Sequence, residues 1–323
     1  MSGRQLIDRE SRSKLESLVS LPVREDVHLA QYTSFHIGGP AALFIEANNR
    51  QTLVKTLASA KDLGLETLIL GGGTNLLVSD DGFDGLALRL DIGGIDIDKE
   101  RRTVRVGASI QTCALVEQLV DEGFAGLEFA TGLPGTVGGA IAGNAGCFGH
   151  CLSDFLICAE VVSPEGDLRR ITDKSWFDFS YRRSGLARYE AVLTEMTFQI
   201  EPGDKSVLRQ KTDEYLSVRA EKHPKKGMHT AGSYFKNLPP PKPGQRRQAA
   251  GALLDQAGAH GLSVGDAAVF EKHANIIINR ANATARDVLS LAAKMKKLVQ
   301  DKFSVDLTEE VRFIGKKPEK LRG

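Results

Sequence analysis

The chain has 323 residues, about twice the length of an average single domain, so two or three lobes are expected. Its hydrophobic (41%) and charged (26%) fractions are ordinary for a globular protein and exclude wholesale disorder. A net charge of +1, with basic residues scattered along the chain, excludes a dedicated nucleic-acid surface or polyanionic-membrane surface.

Targeting signals are not recognisable in the sequence. The first residues lack a basic region followed by an apolar run, so no secretory signal is predicted. No run of about 18 apolar residues occurs, so no membrane span is predicted. A cytoplasmic location follows by default, and no membrane partner or obligate protein partner is evident.

Four cysteines could suggest a metal centre, because three of them lie close to His150 in the sequence. Their spacings match no common zinc or iron–sulfur pattern, and no C-x-x-C pair occurs. We therefore expect no metal, and we interpret the cysteines as buried free thiols. The four are Cys113, Cys147, Cys151 and Cys158.

Hydrophobic periodicity predicts a β-α-β unit near the N-terminus, with strands over 41–47 and 66–70 and a helix over 50–63. Residues before 30 are expected to form a helical extension. The further elements predicted up to the middle of the chain are strands near 85–91 and 103–107, a helix over 110–122, strands near 156–163, 168–171 and 190–200, and a polar helix over 204–222.

The sequence changes in character after residue 224. Residues 238–247 are rich in proline and arginine and predict a surface loop, because proline cannot join a ladder or a helix interior. A domain boundary is placed near 203–224. The elements predicted beyond it are a helix over 248–257, a strand over 275–279, a long helix with Thr284 and Asp287 spaced as a capping box, and a last strand over 305–314.

Two glycine-rich segments stand out, at residues 71–85 and 131–149. Clustered glycines let backbone N–H groups surround phosphate oxygens, because no Cβ blocks the approach. Neither segment is a Walker A loop or a G-x-G-x-x-G turn. One such segment alone is as easily a structural turn system. Two within 80 residues favour a dinucleotide pyrophosphate held between loops.

The second segment contains Gly132-Leu133-Pro134-Gly135-Thr136-Val137-Gly138-Gly139-Ala140 and then Asn144-Ala145-Gly146. This order resembles the signature of the UDP-N-acetylenolpyruvoylglucosamine reductase family, within the flavoprotein superfamily that includes vanillyl-alcohol oxidase. Other motifs occur along the chain in the order that the family has them, and the resemblance spans about residues 30 to 315. They are the segments 33–40 (TSFHIGGP), 71–77, 181–184 (YRRS), 232–237 (GSYFKN), 265–269, 272–274 and 310–315.

The resemblance implies an α+β fold with a two-lobed FAD-binding region followed by a C-terminal α+β substrate-binding domain. The implied division is residues 1–29, an extension; 30–85 and 86–203, the two FAD-binding lobes; 204–316, the substrate-binding domain; and 317–323, a basic tail.

The implied activity is NADPH-dependent reduction of UDP-N-acetylglucosamine enolpyruvate to UDP-N-acetylmuramate, in peptidoglycan synthesis, with non-covalent FAD. The implied substrate is therefore a small UDP-sugar. The resemblance places the FAD beside Gly71, Gly72, Gly73, Thr74, Asn75, Leu76, Gly132, Gly135, Thr136, Gly138, Gly139, Asn144 and Gly146. Substrate-binding candidates are Lys222, Asn237 and His273.

Three matched residues are implied to carry the chemistry. Arg182 would stabilise negative charge on the substrate carboxylate, because its guanidinium is always protonated. Glu310 would lie next to that carboxylate and help to polarise it. Ser233 would protonate the α-carbon as general acid.

The sequence departs from the longer members of the family in one place. Glu201-Pro202-Gly203-Asp204 leads directly into a helix, where those members carry a tyrosine-bearing loop over the substrate. The chain therefore resembles the shorter subgroup. Two alternatives stay open: another FAD-dependent oxidase or dehydrogenase of the superfamily, and a non-catalytic protein that binds flavin or a UDP-sugar.

Overall fold

The computed structural model of the chain describes residues 9–225, 227–242 and 244–318. They form two compact units, and each unit combines separate stretches of the chain. Unit 1 contains the chain up to Val27, Ala42–Gly72 and Asp84–Arg219, whereas unit 2 contains His28–Ala41, Gly73–Phe83 and the chain from Ala220 onward. Both units mix helices and strands, in agreement with the α+β prediction.

Helices and strands are interspersed along the described chain, with runs of several consecutive strands. Up to Ile171 they are, in order, α1 (Arg9–Val19), β1 (Arg24–His28), β2 (Pro40–Ala47), α2 (Arg50–Asp62), β3 (Thr67–Leu70), β4 (Leu76–Val78), β5 (Phe83–Leu90), β6 (Ile95–Asp98), β7 (Thr103–Gly107), α3 (Thr112–Glu122), β8 (Phe124–Ala125), α4 (Val137–Ala142), β9 (Gly146–Cys147), β10 (His150–Cys151), α5 (Leu152–Phe155), β11 (Leu156–Val162) and β12 (Leu168–Ile171). The remainder are β13 (Val192–Gln199), β14 (Glu201–Pro202), α6 (Lys205–Lys222), β15 (His229–Ser233), α7 (Ala250–Gln256), β16 (Ser263–Val264), β17 (Ala267–Phe270), β18 (His273–Asn279), α8 (Ala285–Phe303) and β19 (Arg312–Ile314).

Most predicted elements form within a few residues of their predicted bounds, and two predictions are corrected. The helical extension is wrong for Arg24–His28, which is strand β1, while α1 agrees with it and residues 1–8 lie outside the described residues. The last strand is only β19, because residues 305–311 pair as a ladder only at one isolated bridge, between Glu309 and Phe235, which is too short to be a strand. Lys236 donates to the carbonyl of Thr308, and Glu310 donates to the carbonyl of Tyr234.

The first sheet of unit 1 has the strand order β1-β2-β5-β3, with β3 and β5 parallel. Alternate residues of β2 point inward, and α2 presents Leu53 and Leu57 to the same core. Helix α2 begins where the Asn49 side chain accepts a hydrogen bond from Thr52 N at 2.9 Å. This cap satisfies one of the free N–H groups of the first turn.

The second sheet of unit 1 is antiparallel, with the strand order β12-β11-β13-β7-β6. Its apolar face and the apolar side of α3 form one core. Arg50, at the start of α2, reaches this sheet with ion pairs of 2.9 Å to Glu160 and 2.7 Å to Glu195. One guanidinium thus links the layer that contains α2 to the second sheet.

Unit 2 contains an antiparallel sheet with the order β15-β18-β17-β16 and the long helix α8. The predicted capping box is confirmed: Thr284 Oγ1 accepts from Asp287 N at 3.1 Å, and Thr284 N donates to Asp287 at 2.9 Å. Val288, Leu291 and Met295 are each fully buried, and burial of such a side chain contributes about 1.5–3 kcal/mol. Strands β4 and β19 pair in parallel.

The described helices include none that is both long enough and apolar enough to cross a membrane. Residues 238–242 and 244–247 form no helix or strand, in agreement with the predicted loop. The chain passes between the two units five times, and the last passage, after Arg219, lies within α6; the predicted domain boundary at 203–224 stays a prediction. The finer division into two FAD-binding lobes stays a prediction.

A buried carboxylate holds α6 within unit 1. The Glu128 side chain is 6% exposed and accepts a hydrogen bond from Lys211 at 3.0 Å and one from Gly126 N. Burial alone raises the pKa of the Glu128 carboxyl, but hydrogen bonds from its own backbone amide, from Lys211 and from Gly126 outweigh burial and lower the pKa overall. The ionised form therefore stabilises the fold.

We expect Glu128→Gln to lower the free energy of unfolding at pH 7 by about 1–3 kcal/mol, because hydrogen bonds to a charged group are lost. Since the folded pKa is depressed, this stabilisation is present above the ordinary pKa of about 4.5 and disappears as the pH falls through the folded value. Urea unfolding at pH 7, 5 and 4 measures the difference. Exposed Glu117→Gln is the control, and a wild-type-to-Glu128→Gln difference that does not shrink with acidification would contradict the assignment.

Candidate active site

The two glycine-rich segments meet inside unit 1. A Cβ added to Gly72 would lie 2.8 Å from Gly135 Cα, and one added to Gly71 would lie 2.8 Å from Thr136 Oγ1. Gly135 has a φ of 96°, which also favours glycine. Thr136 caps α4 by accepting from Gly139 N at 3.2 Å. The two glycine-rich backbones thus pack directly against each other, and we call this contact around Gly72 and Gly135 the cradle, because the N–H groups of such glycine-rich loops can surround a diphosphate.

At three other positions of the second segment, packing or backbone conformation within the protein itself already favours glycine. A Cβ on Gly138 would lie 2.8 Å from the Cβ of Ala108, and one on Gly146 would lie 2.5 Å from His150 O. Gly132 has a φ of 67° and lies against Arg219. A Cβ on Gly139 would meet only Thr136 Oγ1, at 3.3 Å. Cofactor contact at these positions stays a prediction.

The remainder of the first glycine-rich loop belongs to unit 2. Gly73 has a φ of 61°, and its Cβ would lie 1.9 Å from Tyr32 O, so no other residue can be accommodated there. Thr74 lies in the turn that follows, and Leu76 begins β4. Asn75 donates from Nδ2 to Glu310 O at 3.1 Å and accepts from Arg312 N at 3.0 Å. The predicted cofactor loop therefore holds the segment that carries Glu310.

Arg182 lies at the tip of a tight turn in unit 1. The backbones of Ser180 and Arg183 exchange two hydrogen bonds of 3.1 Å, and Arg182 takes a left-handed φ of 55°. For a residue other than glycine this conformation costs on the order of 1 kcal/mol. The half-buried guanidinium lies 5.5 Å from the ring centroid of Tyr181. Neighbouring Arg183 is exposed and pairs with Asp178 at 3.4 Å, so the two arginines differ.

Asn144 connects the second glycine-rich segment to this turn. It is 7% exposed, with a φ of 43°, and its Nδ2 donates to Ser180 O at 2.8 Å. Its Oδ1 accepts from Ser153 Oγ at 2.7 Å. On the other side of Arg182, Ser184 Oγ donates to Ala142 O at 2.6 Å. The chain next to α4 thus holds both flanks of the arginine turn.

A backbone hydrogen bond in unit 2 joins Glu310 to the residue that follows Ser233. Ser233 ends β15 at an irregularity in the ladder, after Gly232 with a φ of 76°. The next residue, Tyr234, accepts from Glu310 N at 2.7 Å. Glu310 is half-buried, whereas Glu309 is exposed and lies 3.5 Å from Lys296.

The three substrate-binding candidates also lie in unit 2. His273 Nδ1 accepts from Asn275 N at 3.2 Å, which leaves Nε2 as the donor of a neutral imidazole. The pKa of His273 is lowered, mainly by burial and further by the charges of Lys222 and His260. A backbone hydrogen bond opposes this shift but does not reverse it. Asn237 Oδ1 accepts from Ala250 N at 3.1 Å, at the start of α7.

Arg219 and the cysteines were only partly anticipated. Arg219 is half-buried, and burial lowers its pKa; the only sequence signal for it is its place three residues before Lys222.

All four cysteines are free, as predicted, but Cys113 is exposed and only Cys158 is fully buried. Burial raises the pKa of the Cys147 thiol, against the opposing charges of Arg219 and Arg182. Within the described residues no His, Cys, Asp and Glu group could hold a metal ion.

Two long segments of the chain match known protein families. Residues 41–172 match a model described as an FAD binding domain, which contains the cradle around Gly72 and Gly135. The chain is therefore a flavin-dependent oxidoreductase in class, with FAD as its cofactor. Residues 223–314 match the C-terminal domain of UDP-N-acetylenolpyruvoylglucosamine reductase.

Relatives that match along nearly the full length define the family. The chain is 35% identical over 306 residues to the UDP-N-acetylenolpyruvoylglucosamine reductase of Halalkalibacterium halodurans, covering 94% of this chain and 99% of that protein. It is 34% identical to the enzyme of the same name from Solibacter usitatus, covering 94% and 100%. The crystal structure of the Thermus caldophilus reductase is similar, with a TM-score of 0.76, 31% identity, and coverage of 91% and 100%. The chain belongs to the UDP-N-acetylenolpyruvoylglucosamine reductase family.

We expect Gly72→Ala to weaken FAD binding, because the new Cβ forces apart backbone that is 2.8 Å away. Overpacking of this kind costs about 1–3 kcal/mol, which corresponds to roughly 5- to 150-fold weaker binding if it falls on the FAD complex. Fluorescence titration of the apoprotein with FAD measures the effect. Gly93→Ala is the matched control, because its Cβ would make only a 3.7 Å contact with Ile110. Equal affinities of the two variants would show that the cradle is not where FAD binds.

Proposed function

We propose that this chain reduces the enolpyruvyl ether of UDP-N-acetylglucosamine to the lactyl ether, giving UDP-N-acetylmuramate for peptidoglycan synthesis, with NADPH as reductant. The hydrogen bond from Glu310 N to the carbonyl of Tyr234, the residue after Ser233, carries the proposal, because it joins two family motifs whose candidate residues are 77 positions apart in the sequence. We also propose that the reaction takes place in the cytoplasm on a freely diffusing UDP-sugar.

The chemistry sets the requirements for the protein residues. When bound, FAD supplies hydride transfer from NADPH to the β-carbon of the enolpyruvyl group. An electron-rich enol ether resists hydride addition unless negative charge can be accepted by its carboxylate. The protein must therefore provide a fixed cation, a partner for the carboxylate and a proton donor for the α-carbon.

Arg182 is assigned the role of cation. A guanidinium remains protonated at any physiological pH and can bind a carboxylate with two parallel hydrogen bonds. Its place at the tip of a turn held at both flanks limits reorganisation during the reaction. This rigidity makes the electrostatic stabilisation effective, because the charge is already in place before the transition state forms.

Ser233 and Glu310 are assigned to the reacting three-carbon unit. The Ser233 hydroxyl donates the proton to the α-carbon, and the Glu310 carboxyl polarises the substrate carboxylate. Both positions are fixed by Tyr234, whose carbonyl accepts from Glu310 N at 2.7 Å. Lys222 and His273, with Asn237, bind the sugar nucleotide in this proposal, with the His273 Nε2–H available as a neutral donor.

Anaerobic NADPH consumption by the purified FAD-loaded protein tests the reaction. Sustained consumption only in the presence of UDP-N-acetylglucosamine enolpyruvate, with UDP-N-acetylmuramate as product, is the expected result. NADPH consumption at the same rate with and without this substrate would refute the proposed reaction and favour another flavin-dependent dehydrogenase. A protein that binds flavin and is never reduced by NADPH would favour the non-catalytic alternative.

We expect Ser233→Ala to leave the reduction of bound FAD by NADPH unchanged and to slow its reoxidation by substrate about 10²–10⁴-fold, as is typical for loss of a positioned acid. Stopped-flow absorbance of the two half-reactions separates these effects. Ser263→Ala, an exposed serine in the same unit, is the control. Reoxidation at the wild-type rate in Ser233→Ala would reject this serine as the proton donor.

A further inference from the structure

The backbone on both sides of Arg182 is held by the chain around α4. Two residues before it, Ser180 O accepts from Arg183 N at 3.1 Å and from Asn144 Nδ2 at 2.8 Å. Two residues after it, the Ser184 hydroxyl donates to Ala142 O at 2.6 Å. Both carbonyl lone pairs of Ser180 are thus used, one by Arg183 within the turn and one by Asn144 from the chain next to α4.

Ser153 fixes the orientation of the Asn144 amide. Its hydroxyl donates to Asn144 Oδ1 at 2.7 Å, so the amide nitrogen must face Ser180 O. Asn144 and Ser153 are 7% and 6% exposed, so water cannot readily replace the hydrogen bond between them, whereas the bond from Asn144 to the exposed Ser180 is partly buried. An asparagine is the residue that this position requires, because it offers one acceptor and one donor on a short side chain.

The turn needs this support because Arg182 has a φ of 55°. A left-handed conformation outside glycine is retained only where surrounding contacts enforce it. The neighbouring ion pair from Arg183 to Asp178 is exposed at both side chains, and such pairs contribute about 0–1 kcal/mol. The partly buried hydrogen bonds of Asn144 and Ser184 are therefore the stronger anchors.

We propose that Asn144, oriented by Ser153, is a positioning residue that places the Arg182 guanidinium for the reaction with substrate. The family signature suggests a cofactor contact for Asn144, whereas its side-chain amide is committed to Ser153 and Ser180. The proposal rests on the proposed role of Arg182. In this proposal, the chain at the end of α4 and the turn that carries Arg182 keep a fixed position relative to each other within unit 1.

The FAD-loaded variants Asn144→Ala, Asn144→Asp and Ser153→Ala test this role. Asn144→Asp keeps the acceptor for Ser153 but places an oxygen against Ser180 O, so it is expected to behave like Asn144→Ala. We expect unchanged FAD content, an unchanged rate of FAD reduction by NADPH, and reoxidation by substrate about 10- to 100-fold slower, as small misplacements of a catalytic group produce. Ser153→Ala is expected to show a smaller loss in the same step.

A double-mutant cycle with Arg182→Ala distinguishes positioning from an independent role. Asn144→Ala added to Arg182→Ala should slow reoxidation no further, within about twofold, because both substitutions remove one function. An equal loss in both backgrounds would overturn the proposal. Reoxidation at the wild-type rate in Arg182→Ala would instead refute the proposed function of Arg182. Slow reoxidation in Arg182→Ala together with a wild-type rate in Asn144→Ala would refute only the positioning role of Asn144.

Hydrogen exchange in the apoprotein provides a readout independent of activity. The Arg183 amide, bound to Ser180 O, should lose protection in Asn144→Ala. Asn49→Ala is the matched control: it removes the cap of α2, costs about 1 kcal/mol of stability, and should leave both the Arg183 amide and reoxidation unchanged. Retained protection of the Arg183 amide, or loss of FAD from Asn144→Ala, would contradict the positioning role.

Discussion

The close approach of Gly72 to Gly135 is the constraint on which the organisation of unit 1 depends. The backbone contact requires two residues without side chains, and it brings the end of the first glycine-rich segment against the start of α4. Thr136 begins α4 at this contact, and the helix is only six residues long. Its far end therefore lies at a fixed place, where Asn144 and Ala142 hold the turn of Arg182. A requirement for close backbone packing thus sets the location of a charged side chain.

Asparagine side chains serve as backbone partners at several places in the described chain. Asn275 both donates to and accepts from the backbone of Phe235, at 2.8 and 2.9 Å, which reproduces the pattern of a strand pair beside Ser233. Asn75 holds Glu310 O, Asn237 holds Ala250 N, and Asn144 holds Ser180 O. The carboxamide is suited to this role because it carries the same donor and acceptor as a peptide group, on a side chain too short to move far.

Local pattern allowed much of the fold to be predicted. The apolar face of α8 and its Thr284–Asp287 cap both depend only on residues close together in the sequence, so periodicity and capping rules locate the helix. Residues 305–311 misled the prediction, because an apolar pattern shows burial but not whether a partner strand is present. The family motifs indicated Arg182, Ser233 and Glu310. They gave no indication of Ser153, since its role depends on the folded path that brings its hydroxyl to Asn144.

The parallel pairing of β19 with β4 has a consequence for synthesis of the protein. Asn75 and Glu310 are separated by 235 positions, and Leu77 shares a core with Leu291 and Val311. A growing polypeptide emerges from the ribosome N-terminal end first, so β4 must remain without its partner until translation has passed residue 314. Unit 1 has all of its residues once Arg219 is made. During the remaining elongation, chaperones would meet a chain in which the cradle is complete while the segment bearing Glu310 has not yet been translated.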